Sequence, residues 1–211
     1  MPTLILIPTR MEMEKVLATA ETQGLKHLNA NNVRIEVCGF GPVAAAAKAT
    51  SLLHTDQPDS VILIGIAGSL SDELTIGDAY TFSDVFMDDI GAGSGENFVS
   101  AKQMGWKFID EPAIEDELAI RSDQQQGLLT VCSASASAEE VQRRQELFPT
   151  VTAEDMEGYS VAMACALQNV PLTIVRGVSN RAGDRNHANW KIDAAIDSAA
   201  KLADRLIGEQ T

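Results

Sequence analysis

The stretch of sequence that decides the fold lies at residues 151–192 and reads VTAEDMEGYSVAMACALQNVPLTIVRGVSNRAGDRNHANWKI. Its pattern predicts a helix over residues 156–168 and a strand over residues 171–178, because residues 170–179 are almost all apolar. Strands that are apolar on both sides are typical of α/β sheets covered by helices on both faces. Five polar residues end or follow this strand: Ser179, Asn180, Arg181, Asp184 and Arg185. Because ligands bind beyond the carboxyl ends of strands in such sheets, this cluster is a candidate site.

The rest of the chain predicts alternating strands and helices. Strands are predicted over residues 3–7, 33–38, 60–64, 79–87, 128–133 and 150–153, and helices from Met11 and over 42–53, 114–121, 138–147 and 191–207. The segment 65–69 contains two glycines and predicts a tight turn, and residues 88–112 predict a long loop. This alternation predicts the α/β class, with a mainly parallel sheet, in one domain that spans residues 1–211.

The composition limits the classes of partner. The 211 residues are 45% apolar, enough for a full core, and no apolar run approaches the roughly 18 residues that a membrane span needs. Thirty acidic against 16 basic residues give a net charge of −14, which disfavours nucleic acid and anionic membranes. The N-terminus indicates a first strand and no signal peptide. Cys38, Cys132 and Cys165 lack metal-site spacing, so we expect buried thiols, no metal and a cytoplasmic location.

Four segments carry a resemblance to known proteins. DMEG at residues 155–158 and VRGVSN at residues 175–180 resemble segments of the nucleoside phosphorylase and nucleosidase superfamily. SNRAGDRNHANW at 179–190 and FMDDIGAGSGENF at 86–98 are similar, more particularly, to the futalosine hydrolase family within it. The resemblance runs over most of the chain and is weakest at residues 100–150.

The resemblance implies both a fold and a reaction. The fold would be a three-layer α/β/α sandwich of the phosphorylase/hydrolase type, with a mixed, mainly parallel, twisted central sheet. The reaction would be hydrolysis of the N-glycosidic bond of futalosine, which yields hypoxanthine and dehypoxanthine futalosine in an alternative pathway of menaquinone biosynthesis. The partner would be this small nucleoside, no cofactor is expected, and relatives are commonly homodimers or larger homo-oligomers.

Glu157 is a candidate sugar-binding residue. An ionised carboxylate only accepts hydrogen bonds, so it suits the two hydroxyl donors of a ribose, and its charge would stabilise an oxocarbenium-like sugar. The resemblance gives Glu157 this role and places Met156 against the sugar. A more general explanation is that Glu154, Asp155 and Glu157 are acidic residues in a first helical turn, where the helix dipole favours them.

Asn180 is the candidate that bears on the purine. The resemblance assigns Ser179 and Asn180 to the site, and methylthioadenosine nucleosidases have Asp where this chain has Asn180. The amide carbonyl can accept a hydrogen bond from a protonated N7, and the amide NH₂ can donate a hydrogen bond to a 6-oxo group. If the purine carried a 6-amino group, the amide NH₂ would face another hydrogen-bond donor. Each polar group left unpaired in this way costs roughly 1–3 kcal/mol of binding free energy. Asn180 therefore predicts hypoxanthine or guanine as the leaving group, although an Asn that caps a turn would also explain it.

The candidate general base is one of two glutamates. Thr9-Arg10-Met11-Glu12 matches a Thr-x-x-Glu pattern of futalosine hydrolases, whereas the pattern of methylthioadenosine nucleosidases aligns near Met13 or Glu14. We favour Glu12, with Glu14 as the alternative, and either would activate water for a gain of about 10²–10⁴ in rate. Both could also be solvated acidic residues of a first helical turn.

The segment at residues 65–69 bears on the choice between water and phosphate as the nucleophile. It has neither the spacing nor the Lys of a Walker loop. The resemblance implies that its backbone, at Gly68, approaches the ribose and base. Hexameric phosphorylases hold phosphate with an Arg before this segment and a Ser within it, and here those positions resemble Leu63 and Ile66. Without a cation for phosphate, water is the better nucleophile.

Arg185 and Trp190 are candidates for the far end of the substrate. Futalosine carries a carboxylated aromatic group on its sugar chain, so Arg185 could pair with the carboxylate and Trp190 could shape an aromatic pocket. A surface ion-pair network is the alternative for the arginines of this segment. Residues 132–138, CSASASA, are expected to flank the purine.

The long loop could close over the sugar-side tail of the substrate, or it could be a solvated acidic loop. Its candidate residues are Asp88, Asp89, Gly91 and Phe98.

Three other functions remain open from the sequence. A methylthioadenosine, S-adenosylhomocysteine or aminodeoxyfutalosine nucleosidase is disfavoured by Asn180. A purine nucleoside phosphorylase is disfavoured by the missing phosphate-binding Arg. A non-catalytic nucleoside-binding relative would be expected to lose Glu157 or the base, and both are present.

Overall fold

The structure is a computed structural model that describes residues 2–120, 122, 124 and 126–209. Within these ranges the strands are β1 Thr3–Ile7, β2 Val33–Val37, β3 Ser60–Ser69, β4 Ala79–Thr81, β5 Asp84–Met87, β6 Gly91–Ala92, β7 Val99–Ser100, β8 Glu117–Ala119, β9 Gly127–Thr130, β10 Val151–Asp155 and β11 Leu172–Arg181. The α-helices are α1 Arg10–Gln23, α2 Pro42–Asp56, α3 Ala138–Leu147, α4 Gly158–Gln168 and α5 Ile192–Glu209.

The main sheet is mixed and mostly parallel. Its strand order is β2-β1-β3-β10-β9-β5-β8, and β11 pairs with β3 and β4. The pairs of β1 with β2 and β3, of β9 with β5 and β10, and of β3 with β11 are parallel. The pairs of β10 with β3, β11 with β4 and β5 with β8 are antiparallel. Strand β3 is central, because it pairs with β1, β10 and β11.

The helices cover the sheet on two faces. Leu4 and Leu6 of β1 pack in a core with α2 and α4, whereas Ile5 and Ile7 pack in a second core with α1 and α5. Since successive side chains of a strand point to opposite faces, these two cores lie on opposite sides of the sheet. The expected three-layer α/β/α architecture, with its mixed and mainly parallel sheet, is confirmed.

Local sequence explains how α1 follows β1. Thr9 caps the helix, since its Oγ1 accepts from the Glu12 backbone N–H at 3.2 Å, and the Glu12 side chain accepts from the Thr9 backbone N–H at 3.1 Å. Gly24 ends the helix with a φ of +65°. This capping arrangement places Glu12 one turn beyond the carboxyl end of β1.

Three predicted elements differ from the structure. The predicted turn at 65–69 is wrong, because these residues continue β3 and pair with β11 up to Arg181. The predicted helix at 114–121 is wrong over its described part, since Glu117–Ala119 is an edge strand on β5, and Arg121 lies outside the described residues. The predicted strand at 79–87 is two strands with different partners, β4 on β11 and β5 on β9.

Two further boundaries affect the candidate residues. Helix α4 begins at Gly158, so Glu157 precedes it, and Glu154 and Asp155 belong to β10, where the first helical turn was expected. Strand β11 extends through Ser179 and Asn180, which a loop was expected to hold.

The structure also shows how far the thiols are buried and whether any described helix could span a membrane. Cys38 and Cys165 are buried as expected, but Cys132 is exposed, because it follows β9 at the surface. None of the helices in the described ranges has both the length and the apolar character that a membrane span requires.

Candidate active site

A cavity of about 260 Å³ lies at the carboxyl ends of β1, β10 and β11. Six of the seven residues singled out for the site line it: Glu12, Gly68, Met156, Glu157, Ser179 and Asn180. Trp190 and Ala134, from the expected aromatic and purine-flanking segments, line it too. Arg185 does not line it. Residues from four separate segments of the chain, each singled out from the sequence, therefore meet at this cavity.

A bulge in β11 brings two consecutive side chains to the cavity. Val178 pairs with Ala67 and Asn180 pairs with Gly68, so Ser179 is an extra residue in the strand. Consecutive side chains of a regular strand point to opposite faces. The extra residue interrupts this alternation, and both Ser179 and Asn180 line the cavity.

Glu12 is buried and held at both carboxylate oxygens. Its Oε2 accepts from Thr9 Oγ1 at 2.5 Å and from the Thr9 backbone N–H at 3.1 Å. Its Oε1 accepts from the Ile66 backbone N–H at 3.2 Å. Glu14 is exposed and does not line the cavity. Of the two candidate bases, only Glu12 has its carboxylate where a bound substrate could be reached.

Glu157 has an unusual environment for a carboxylate. Its Oε1 accepts from the Gly41 backbone N–H at 2.9 Å, and its Oε2 lies 3.4 Å from Arg176 Nη2. The pKa of Glu157 is raised to about 7, chiefly by burial and also by the negative charges of Asp155 and Glu12, while Arg176 and the Gly41 N–H act to lower it. Glu157 can therefore change its protonation state near neutral pH.

Arg176 is a site residue that the sequence analysis missed. It is fully buried in β11, and its Nε and Nη2 donate to Asp155 Oδ2 at 3.0 and 2.6 Å. Asp155 is fixed in turn by Thr130 Oγ1, at 2.7 Å, and by the Gly158 backbone N–H, at 2.8 Å. The signal that could have found it was a charged residue in the middle of the predicted strand at 171–178, because a buried charge requires partners.

The third nitrogen of Arg176, Nη1, is buried and has no hydrogen-bond partner among the residues that the structure describes. It lies beside Gly65, where a Cβ would be 2.1 Å from Nη1 and 3.1 Å from Glu12 Oε1. The absence of a side chain at Gly65 thus leaves room for Nη1 and Glu12 Oε1 on the same side of β3. A buried N–H donor of this kind is suited to a water molecule or a ligand oxygen.

The charge balance corrects one premise of the sequence analysis, which found no cation for phosphate. Arg176 is a cation behind the cavity wall, but three carboxylates lie near it: burial lowers its pKa, whereas Asp155, Glu157 and Glu12 raise it, and the net pKa is raised. The positions expected to hold phosphate are the buried Leu63 and the cavity-lining Ile66. A phosphate dianion would meet more negative than positive charge here. Water therefore remains the favoured nucleophile, because of the excess of carboxylates and not because a cation is missing.

Asn180 is partly occupied by local hydrogen bonds. Its Oδ1 accepts from Ser179 Oγ at 2.8 Å, and its Nδ2 donates to the Arg181 carbonyl at 2.7 Å. An amide oxygen has two lone pairs and an NH₂ has two hydrogens, so one acceptor and one donor position remain. Asn180 lies in a strand and does not cap the turn that was considered as its alternative role.

Arg185 stands behind Trp190. Its guanidinium carbon is 5.4 Å from the centre of the indole ring, in cation–π contact, and the residue is exposed. His187 contacts the same ring, with ring centres 4.5 Å apart. The neighbouring Arg181 pairs with Asp72 at the surface, as expected of a surface ion pair. The aromatic ring, rather than the guanidinium, is the part of this segment that reaches the cavity.

The long loop does not contribute to this cavity. Asp88, Asp89 and Phe98 line a separate cavity of about 700 Å³, where Arg143 donates to Asp88 Oδ2 at 2.7 Å. Gly91 lies against Phe98 in the β6–β7 hairpin. The structure thus gives these residues no contact with the sugar side of the candidate site.

A second buried ion pair borders the cavity and was also missed. Glu154, which lines the cavity, accepts from Arg144 Nη1 at 2.7 Å, and both residues are only 4% exposed. Ser135, from the segment expected to flank the purine, donates to the same carboxylate from its backbone N–H and its hydroxyl. No spacing rule linked Glu154 to Arg144, because a strand and a helix bring them together.

No group of three or more His, Cys, Asp or Glu residues in the described part of the chain is arranged to hold a metal ion. The polar groups at and behind the cavity wall are carboxylates, the Asn180 amide, the Ser179 hydroxyl and two buried guanidinium groups, those of Arg176 and Arg144.

Comparisons with known proteins agree on one family. A family model for the phosphorylase superfamily matches residues 20–208. A 5'-methylthioadenosine/S-adenosylhomocysteine nucleosidase of Staphylococcus aureus (strain MRSA252) is 31% identical over 187 residues, and the match covers 85% of this chain and 81% of that protein.

Two solved structures share the fold. One is a 5'-methylthioadenosine/S-adenosylhomocysteine nucleosidase from Colwellia psychrerythraea 34H in complex with adenine, with a TM-score of 0.79, 22% identity, and coverage of 99% of this chain and 95% of that one. The other is futalosine hydrolase of Helicobacter pylori strain 26695, with a TM-score of 0.79, 18% identity, and coverage of 100% and 98%.

The environment of Glu157 generates a prediction about its titration. We expect the carboxylate to titrate near pH 7, measured as the pH dependence of its infrared band in a difference spectrum between the unaltered protein and Glu157→Gln. Asp155→Asn should lower the pKa, because it removes a nearby negative charge, whereas Glu14→Gln, an exposed change, should leave it unaltered. A midpoint near the ordinary value of 4.5 in the unaltered protein would contradict this account.

Proposed function

The chain belongs to the phosphorylase superfamily and, within it, to the methylthioadenosine/S-adenosylhomocysteine nucleosidase family, and on that premise we propose that it is a futalosine hydrolase. It is a hydrolase that acts on N-glycosyl compounds. The proposed reaction breaks the N-glycosidic bond of futalosine and releases hypoxanthine and dehypoxanthine futalosine. The observation that carries the proposal is Asn180, an amide at the cavity wall where an acid would serve a 6-aminopurine.

Glu12 is proposed to be the general base. A water molecule between Glu12 Oε1 and Arg176 Nη1 would give a proton to the carboxylate and attack the anomeric carbon of the ribose. The unpaired Nη1 donor beside this oxygen supports such a site, because it can hold the water oxygen while the carboxylate accepts one of its hydrogens. The bond from the sugar to the purine N9 breaks as the new carbon–oxygen bond forms.

Glu157 and Met156 are proposed to hold the ribose. Glu157 would accept hydrogen bonds from two sugar hydroxyls, and its negative charge would stabilise the positive charge that develops on the sugar. Arg176 lies near both carboxylates, with Nη2 3.4 Å from Glu157 Oε2 and Nη1 on the same side of Gly65 as Glu12 Oε1, and its positive charge offsets the repulsion between them. Gly68, between Glu154 and Asn180 in the sheet, presents a bare backbone to the substrate.

Asn180 is proposed to stabilise the departing purine. Its free acceptor position would take the N7–H that forms when solvent protonates the base, and its free N–H would donate to the 6-oxo group. Ser179 supports this orientation, because its hydroxyl donates to Asn180 Oδ1. Trp190 would pack against the aromatic tail of futalosine, with Arg185 behind it at the rim.

A nucleosidase of 6-aminopurines is the second candidate function. The 31% identical relative is named for methylthioadenosine and S-adenosylhomocysteine, and the structure from Colwellia psychrerythraea holds adenine. Against it stands the amide of Asn180, which presents a donor to a 6-amino group. Phosphorolysis is disfavoured by the three carboxylates around Arg176. Mere binding of a nucleoside is disfavoured because Glu12 and Glu157 are both in the cavity.

Three broader expectations accompany the proposal. We propose a single catalytic domain over residues 1–211, a homodimer or larger homo-oligomer, and action in the cytoplasm, where free thiols such as Cys132 persist.

The substrate is tested by release of the purine base. Futalosine, inosine, methylthioadenosine and aminodeoxyfutalosine are each incubated with the protein, with and without phosphate, and the free base is measured. We expect hypoxanthine from futalosine at the same rate in both conditions. A higher kcat/KM for an aminopurine nucleoside would favour the second candidate, and turnover only with phosphate would make the protein a phosphorylase.

The general base is tested by two matched substitutions. Glu12→Gln keeps the size of the side chain but removes its ability to take a proton, so kcat should fall by about 10²–10⁴. Glu14→Gln, the same change at an exposed position two residues later, should leave kcat close to the unaltered value. The reverse result, with activity lost only in the Glu14 variant, would move the role of base to Glu14.

The role of Asn180 is tested by Asn180→Asp. An acid can accept from a 6-amino group, so the ratio of kcat/KM for aminodeoxyfutalosine to that for futalosine should rise by roughly 10- to 100-fold. Asn186→Asp, the same change at an exposed position, is the control and should leave the ratio unaltered. If both variants keep the original ratio, Asn180 does not determine the choice of purine.

A further inference from the structure

Glu154 occupies the position in the sheet that mirrors Asn180. Gly68 of β3 pairs with Glu154 of β10 on one side and with Asn180 of β11 on the other. Residues that pair directly across strands point to the same face of a sheet. Both side chains line the same cavity, with the bare backbone of Gly68 between them. A flat ligand that reaches Asn180 therefore has Glu154 near its opposite edge.

The hydrogen bonds of Glu154 leave one acceptor position open. Oε2 accepts from Ser135 Oγ at 2.6 Å and from Arg144 Nη1 at 2.7 Å, whereas the one donor to Oε1 among the described residues is the Ser135 backbone N–H, at 2.8 Å. A carboxylate has about four acceptor positions, two on each oxygen. Oε2 is thus fully used, and one position on Oε1 remains for a ligand.

Arg144 fixes this carboxylate from a separate element. The side chain extends from α3, and its Nη2 donates to the Ser133 carbonyl at 2.8 Å while Nη1 also contacts Ser135 Oγ at 2.6 Å. A buried ion pair is by itself a weak source of stability, since removing two charges from water is costly. A carboxylate held by three donors at the wall of a cavity is better explained by what it presents to that cavity.

We propose that Glu154 is a specificity-determining residue that accepts a hydrogen bond from N1–H of a 6-oxopurine, and that Arg144 is the residue that positions it. This inference rests on the proposed function, because it concerns the base in the same site. A 6-oxopurine such as hypoxanthine carries a hydrogen on N1, whereas adenine has a lone pair there. The open position on Glu154 Oε1 matches the first base, and two lone pairs would oppose each other with the second.

The spacing of the strands is suited to such a contact. Glu154 and Asn180 are two strand spacings apart, which is roughly 10 Å. This is the spacing of the two backbones, and both side chains extend from it to the wall of one cavity, so a planar base between them can be contacted at two of its edges. Asn180 would thus contact N7 and the 6-oxo group, and Glu154 would contact N1.

The two residues would then exclude adenine by independent contacts. Asn180 opposes the 6-amino group with a donor, and Glu154 opposes the N1 lone pair with an acceptor. An unpaired polar group in a buried site corresponds to a loss of roughly 10- to 100-fold in affinity. The preference for 6-oxopurines should therefore depend on Glu154 as well as on Asn180.

The test measures binding of free bases by calorimetry, so it does not depend on turnover. Hypoxanthine, 1-methylhypoxanthine and adenine are titrated into the unaltered protein, Glu154→Gln, and the control Glu146→Gln, an exposed position on α3. The unaltered protein and the control should bind hypoxanthine roughly 10- to 100-fold more tightly than the other two bases. In Glu154→Gln the amide can donate to the adenine N1, so the preference for hypoxanthine over adenine should fall by a similar factor.

Arg144→Lys tests the positioning role. Lysine keeps the charge but not the two-nitrogen contact with Glu154 and Ser133, so the affinity for hypoxanthine should fall while the affinity for adenine changes little. A merely structural role would lower the affinities for both bases equally.

The outcomes separate this inference from the proposed function. Preference for hypoxanthine in both the unaltered protein and Glu154→Gln would overturn the role of Glu154 and leave the proposed function intact. Preference of the unaltered protein for adenine would contradict both. If Glu154→Gln does not fold, the unaltered protein decides alone, because equal affinity for hypoxanthine and 1-methylhypoxanthine would show that N1–H is not recognised.

Discussion

The buried pair of Arg176 and Asp155 is the interaction on which the site depends. Arg176 is fully buried, so its charge must be balanced within the protein, and Asp155 provides two of its hydrogen bonds. Loss of one partner from such a pair typically costs about 3–5 kcal/mol. The guanidinium in turn allows Glu157 and Glu12 to lie in the same small volume. One cation therefore allows three of the cavity's carboxylates, those of Asp155, Glu157 and Glu12, to lie close together.

The same charge arrangement limits the chemistry. A site with three carboxylates around one guanidinium suits a neutral nucleophile and a developing positive charge, and it opposes a phosphate dianion. The excess of carboxylates agrees with the chain's membership of a nucleosidase family, because it gives a physical reason to use water in place of phosphate. That reason became visible only when Arg176 was located in the structure. We propose that the choice between 6-oxo and 6-amino purines is made at Asn180 and Glu154, which lie on the two strands beside Gly68 of β3 and line the cavity.

Much of the site could be predicted from the sequence, because it follows the ends of apolar strands. Glu12, Glu157 and Asn180 each stand just past or at the end of such a run, and the parallel sheet brings these ends together. The extension of β3 was missed because its glycines indicated a turn, whereas pairing with β11 keeps them extended. A helix was predicted where β8 lies, and the Glu154–Arg144 pair was missed. Both features depend on partners that are distant in the sequence, and no local sequence pattern identifies such partners.

The bulge in β11 has a consequence for how this protein can change. Because Ser179 is an extra residue, the regular alternation of side chains is interrupted, and two consecutive residues, Ser179 and Asn180, both reach the cavity. Loss of Ser179 would restore regular pairing, with Asn180 still opposite Gly68, and would remove one of the two polar side chains from the cavity wall. A substitution at this strand can therefore change a polar group at the cavity wall without disturbing the strand pairing, whereas loss of the extra residue removes such a group.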